Sequence, residues 1–167
     1  MEKRMIPKEL EEMFSTIKTP IIFATADKKP HATPMNWFYL GNNTIWVSPV
    51  GGSSKIKNIL KNKNVCLATV EGMRKGARGF VAWGGIIKME TGFIALLKNF
   101  RTLKKALKLR SKMSLKDSRT MKVTRMLHIH PDIYYNFAMP WKRYFLKIEI
   151  KRAEYWLKDR EKKEIQL

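Results

Sequence analysis

The spacing of apolar residues changes period several times along the chain, and each change marks an element. Over residues 7–18, Leu10, Met13, Phe14 and Ile17 fall at i, i+3, i+4 and i+7, which predicts a helix with one apolar stripe able to lid a core. Pro7 suits the first helical position, where its missing N–H costs nothing. PIIFATA (20–26) is a short apolar run that reads as a strand, followed by the polar turn DKKP. HATPMNWFYL (31–40) reads as a second strand, with Pro34 marking a bulge or an edge because proline cannot donate to a ladder. GNN (41–43) is a turn signal and TIWVS (44–48) a third strand. In PVGGSSKIKNILKN (49–62), two glycines and two serines lead into a short helix whose Ile56, Ile59 and Leu60 share a face. VCLATVE (65–71) is a fourth strand, and FVAWGGIIKME (80–90) a long fifth with a kink at its paired glycines. RYFLKIEIKRAEYW (143–156) alternates as one or two closing strands. Six or so antiparallel strands at this spacing, behind one helix, predict a mainly β domain built as a small barrel.

One segment breaks the pattern. Between the fifth and closing strands, Phe93, Leu96, Leu97, Phe100, Leu103 and Leu107 lie on one helical face, with Lys98, Arg101, Lys105 and Lys108 on the other. The simplest expectation is a helix that covers the barrel and leaves its lysines in water. The chain carries 34 Lys+Arg against 14 Asp+Glu, a net +20, and residues 92–130 hold 11 basic residues against one acidic. That concentration sets 92–142 apart as a basic insertion within a single domain spanning 1–167. A field of this sign attracts phosphates on nucleotides, nucleic acid or lipid. No apolar run is long enough to span a membrane, and the charged start MEKRMIPKELEEMF does not look like a signal peptide, so a cytoplasmic protein without a membrane partner is expected. The single cysteine, Cys66, sits in an apolar strand and reads as a buried structural thiol. His128 and His130 lack further ligands at zinc spacing, so no metal is expected.

The segment with the most chemical content is GGSSKIKNI (51–59). Glycines allow the backbone close to a ligand, Ser53 and Ser54 can cap the helix or donate outward, and the helix start presents unpaired N–H groups and a positive dipole end. Lys55 and Lys57 add full charges. The result is a small phosphate cradle without the spacing of a Walker loop, although a Ser-capped surface helix with exposed lysines has the same sequence.

The order of helix, strand, HATPMNW, strand, SSKIKNIL, VCLATVEG, a strand ending in Gly84 and the closing RAEYW resembles the pyridoxamine 5′-phosphate oxidase-like FMN-binding split β-barrel superfamily. The resemblance covers residues 5–91 and 143–157. It implies a six-stranded split barrel that forms a homodimer and acts as an FMN-binding oxidoreductase on a small molecule. By the same resemblance Ala32, Thr33, Pro34, Met35 and Asn36 would run along the flavin ring, Val47 and Ser48 would border the ribityl chain, and Ser53, Ser54, Lys55 and Asn58 would hold the phosphate. Gly79, Trp83 and Trp156 would reach the ring from the second subunit. Related barrels bind a deazaflavin in a similar cleft, and a flavin-carrying or flavin-free protein whose basic helix contacts nucleic acid is a further alternative. In the oxidase itself an Arg-x-His pair after the last aromatic strand grips the vitamin phosphate. Here Lys162 and Glu164 stand at those places, which argues against oxidation of pyridoxamine phosphate.

Overall fold

The computed structural model describes residues 6–17, 19–71, 77–95, 97–100, 142–157 and 161–167. Among the described residues the elements with full bounds are, in chain order, α1 (Lys8–Thr16), β1 (Ile21–Ala26), β2 (Pro30–Met35), β3 (Trp37–Gly41), β4 (Thr44–Val47), α2 (Ser54–Lys61), β5 (Asn64–Glu71), β6 (Arg78–Thr91), β7 (Tyr144–Trp156) and β8 (Lys162–Gln166). The strands form one antiparallel sheet in the order β2-β1-β5-β6-β7-β4-β3, with β8 also on β7, and the sheet curls into a split β-barrel.

The count differs from the six strands expected. The run 31–40 divides at Asn36, because its first half pairs with β1 and its second with β4 at the other end of the sheet. Pro34 lies on an edge strand, as its missing donor requires. The closing run is one continuous strand, and β8 adds an edge that the polar tail did not announce. The two asparagines of the 41–43 turn, Asn42 and Asn43, both hold positive φ, a conformation their short side chains tolerate.

β6 pairs with β7 along its whole length, and the other edge of β7 carries β4 on its first half and β8 on its second. Alternation turns Leu146, Ile148 and Ile150 inward, and a register shift at Lys151 then turns Ala153 and Tyr155 inward. A Cβ on Gly84 would collide with the Glu149 carbonyl beside this irregularity, so the paired glycines mark a close approach of two backbones. Inside the curl, Leu10, Met13, Phe14 and Ile17 of α1 and its flank lie over Ile21, Phe23, Ile45, Leu67 and Phe80. The Phe14 ring meets Trp37 and Phe80 edge-on at 6.3 and 4.8 Å. Trp37 satisfies its indole N–H on the Thr19 carbonyl at 2.9 Å.

Polar ties pin the lid down. Glu9 accepts from Tyr155 Oη at 3.2 Å and from Lys163 Nζ, joining α1 to β7 and β8. Tyr39 donates to Glu11, and burial together with that carboxylate pushes its phenol up to about 12. Pro7 serves as the residue capping α1 rather than its first helical position. Ile56 and Ile59 of α2 are buried, whereas Leu60 is 60% exposed, contrary to the shared face expected of the three. Cys66 is half-buried on the outward face of the sheet rather than in the core, and burial pushes its thiol pKa up.

Of the insertion, residues 92–95 and 97–100 are helical and Lys142 is described at its end; residues 96 and 101–141, with His128 and His130, lie outside the described residues. In this first part Lys98 stands in water as expected, but the apolar side chains beside it do not cover the barrel, and Leu96, Leu103 and Leu107 lie outside the described residues. Phe93 and Leu97 point outward at 57% and 55% exposure, while Ala95 is buried. The lid and α2 faces lead to a direct comparison. Phe14→Ala should lower stability by about 3–5 kcal/mol, and Leu60→Ala by no more than about 0.5 kcal/mol, in urea unfolding.

Candidate functional site

A pocket of about 270 Å³ opens where β2, β3 and β4 converge on the start of α2, lined among others by Met35, Asn36, Trp46, Ser48, Lys55 and Arg143. Its position follows from the break at Asn36, which sends the chain from one end of the sheet to the other beside the α2 loop. Alternation in β3 and β4 places Trp37, Ile45 and Val47 in the core, and so turns Phe38 and Trp46 to the opposite face, where they line the pocket. There Trp46 stacks on Phe145 at 5.5 Å and tilts against Phe38 at 5.3 Å. Its indole N–H is buried and has no hydrogen-bond partner among the described residues.

The loop between β4 and α2 is stitched to the end of the insertion. Val50 bridges Arg143, Gly51 N–H donates to the Lys142 carbonyl, and Tyr144 N–H donates to the Pro49 carbonyl. This seam delivers Arg143 to the pocket, where its Nη1 donates to the Ser48 carbonyl at 3.1 Å. Lys55 enters from the first turn of α2, donating to Thr33 Oγ1 at 3.1 Å. Burial lowers its pKa from the ordinary 10.5, with no carboxylate beside it to offset the desolvation. Among the described residues no Asp or Glu lines the pocket.

Of the residues expected to touch a cofactor, Pro34, Met35, Asn36, Ser48 and Lys55 come together in this pocket. Thr33 joins them through Lys55, and Ala32 lies exposed on the β2 edge. The Val47 side chain is in the core, leaving only its main chain on this side. Ser53 caps α2 without a side-chain bond to a helix N–H. Its hydroxyl turns back to the Val50 carbonyl at 2.7 Å, while Ser54 is exposed at the helix start. Asn58 reaches away from the pocket to Thr25 and the Lys29 carbonyl, tying α2 to β1.

Gly79, Trp83 and Trp156 lie elsewhere on the chain. Trp156 packs on Gly79, where a Cβ would stand 2.6 Å from the indole. Trp83 lies under the Arg152 guanidinium at 4.7 Å and lines a separate groove of about 420 Å³ with Cys66 and Lys151. These three residues belong to an outward sheet face whose cross-strand neighbours include Ile22, Ala68 and Val81, Ala24 and Cys66, and Val70. Ile22 and Val70 are 45% and 49% exposed. Beside this face, Lys162 pairs with Glu154 at 2.6 Å and Glu164 with Arg152 at 2.8 Å.

The sequence reading missed Phe38, Trp46 and Arg143. The alternation of TIWV had carried the signal for Trp46, whereas Arg143 reaches the pocket only through pairing across some ninety residues. Among the described residues no cluster of His, Cys, Asp or Glu could hold a metal.

No known sequence family and no curated protein matches the chain. Solved structures do. A conserved hypothetical protein of Mycobacterium tuberculosis superposes with a TM-score of 0.62 at 18% identity, covering 96% of this chain and 90% of that one. A protein from Mesorhizobium loti described as FAD-binding gives 0.56 at 17% identity over 90% and 94%. A Clostridium acetobutylicum protein related to general stress protein 26, of the pyridoxinephosphate oxidase family, gives 0.56 at 16% over 95% and 92%. The fold of this chain is the one these proteins share. The bonds of Asn58 point to a local test: Asn58→Ala should cost about 1 kcal/mol of stability in urea unfolding while leaving anion binding at the pocket unchanged.

Proposed function

With the fold of the pyridoxamine 5′-phosphate oxidase-like split barrels as its premise, we propose that this chain is a homodimeric FMN-binding oxidoreductase of that family acting on a small molecule. The observation that carries the reading is the Lys55 ammonium, partly desolvated in the wall of a pocket with aromatic sides and, among the described residues, no carboxylate. Such a charge is relieved by an anionic ligand, and a flat ring suits the Phe38 and Trp46 side. FMN supplies both, a phosphate at one end and a tricyclic ring at the other. Lys55, Ser54 and the first N–H groups of α2 would hold the phosphate. The main chain of Pro34 to Asn36 would follow the ring edge, and Ser48 would lie along the ribityl chain. The flavin when bound supplies hydride or single-electron transfer, while the protein orients it, keeps water from it and sets the charge around it. The Mesorhizobium loti neighbour, described as FAD-binding, supports a flavin.

A second copy docked on the outward face of β1, β5, β6 and β7 would bury its apolar rows and bring Gly79, Trp83 and Trp156 towards the pocket of its partner. Pyridoxamine phosphate is not the expected substrate, since the Glu164 carboxylate stands where the oxidase carries histidine and would repel a phosphate.

Lys55→Ala should weaken FMN binding about tenfold or more and leave riboflavin, which lacks the phosphate, nearly unaffected in a fluorescence titration. Equal losses for both ligands would remove the cradle from this reading. Mass spectrometry of the ligand released on denaturation separates FMN from a deazaflavin. The Lys55 pKa lies below 10.5, and the charged form is the one that binds phosphate. FMN affinity should therefore fall as pH rises through that lowered value, before 10.5 is reached. Lys55→Arg, which stays charged, should carry binding to higher pH. Light scattering should give a dimer, and a monomer that keeps its flavin tightly would overturn the proposed assembly.

A further inference from the structure

We propose that the indole N–H of Trp46 recognises a carbonyl oxygen on the ring of the bound ligand, and so sets which end of a flat ring meets the aromatic wall of the pocket. The inference rests on the flavin reading above and deepens it. Trp46 is 2% exposed and lines the pocket, and its Nε1 is buried with no hydrogen-bond partner among the described residues. Buried N–H groups are rarely left unpaired, because desolvation is then not repaid. The fold treats two nearby tryptophans differently. Trp37, on the core side of β3, donates to the Thr19 carbonyl at 2.9 Å, whereas Trp46, on the pocket side of β4, is given no acceptor.

The surroundings of the indole narrow what completes it. Its ring stacks on Phe145 at an interplanar angle of 24° and tilts against Phe38 at 43°, and neither ring carries a lone pair to accept its proton. Its main chain is taken up in the ladder, where Trp46 pairs with Phe38 on one side and Lys147 on the other. The two cations of the pocket, Lys55 and Arg143, are donors only. The missing partner therefore comes from a ligand, and it is an acceptor. Because the N–H is recessed in the wall, that acceptor has to project from the ring. An exocyclic carbonyl oxygen projects, while a ring nitrogen lies flush with its edge. A flavin carries both ring carbonyls at one end and methyl groups at the other, so Trp46 turns the carbonyl end to this wall. A ring edged only with C–H or N–H would leave the indole unpaired, and the pocket selects against it.

The test combines fluorescence titration of the full chain with FMN and the infrared carbonyl bands of the bound FMN. Trp46→Phe should weaken FMN about three- to tenfold, the span expected for one neutral hydrogen bond, and should move a ring carbonyl band to higher wavenumber as its donor is lost. Trp46 replaced by the benzothiophene isostere of tryptophan keeps the shape of the indole without the N–H, and covers the case in which phenylalanine leaves a cavity that disturbs the fold. It should give the same two changes, with the melting temperature of the FMN-free protein unchanged or raised, because the N–H has no protein partner to lose. Phe38→Leu, which trims the wall and keeps the donor, should weaken FMN without moving the band. Wild-type protein that takes up no FMN overturns the flavin reading and this inference with it. FMN held equally well by the wild type and the isostere, or held with unmoved carbonyl bands, overturns this inference alone and leaves the flavin reading standing.

Discussion

The fold depends on one strand that has to serve three neighbours. β7 gives its whole length to β6 along one edge and divides the other between β4 and β8. A strand thirteen residues long cannot stay straight beside two such partners and still keep one face inward around a curl. The chain solves this by shifting register twice, at Lys151 in β7 and at Ile87 in β6, each shift changing which residues face the core. Gly84 lets the two backbones close together between the shifts, against the Glu149 carbonyl.

That geometry also makes the pocket. By holding β4 on its first half, β7 sets Trp46 against Phe145 on the face away from the core. The residues just before β7 pair with the loop that leads into α2, so Arg143 arrives opposite Lys55 through backbone pairing. The pocket is therefore built from pieces far apart in sequence, and its positive character comes from two cations that reach it by different routes.

Much of this was legible in the sequence, for identifiable reasons. The α1 stripe was readable because all four of its apolar positions face one core, and helical spacing records that directly. The strands up to β6 were readable from apolar runs between turn signals. Asn36 was not, since a strand that changes partners midway keeps its alternation. β8 was missed because an edge strand held by Arg152–Glu164 and Lys162–Glu154 pairs needs few apolar residues. Leu60 was misplaced because an eight-residue helix buries only a narrow arc. The exposure of Phe93 and Leu97 was not legible because Asn99, a polar residue, makes the inward contact with Glu90, and an amphipathic pattern shows which residues share a face without showing which way that face looks.

The pairing of β7 has a bearing on how the protein is made. The hairpin of β1 with β2 and the pair of β5 with β6 join segments that leave the ribosome close together. β4 must wait about a hundred residues for its partner, and β6 must wait for the insertion to pass. Because loop-closure entropy grows only with the logarithm of length, the insertion is tolerated thermodynamically, but it delays the step that closes the sheet. Until β7 is synthesised, β4 and β6 each expose an unpaired edge next to apolar side chains, the condition in which nascent chains are most exposed to aggregation and most dependent on chaperones.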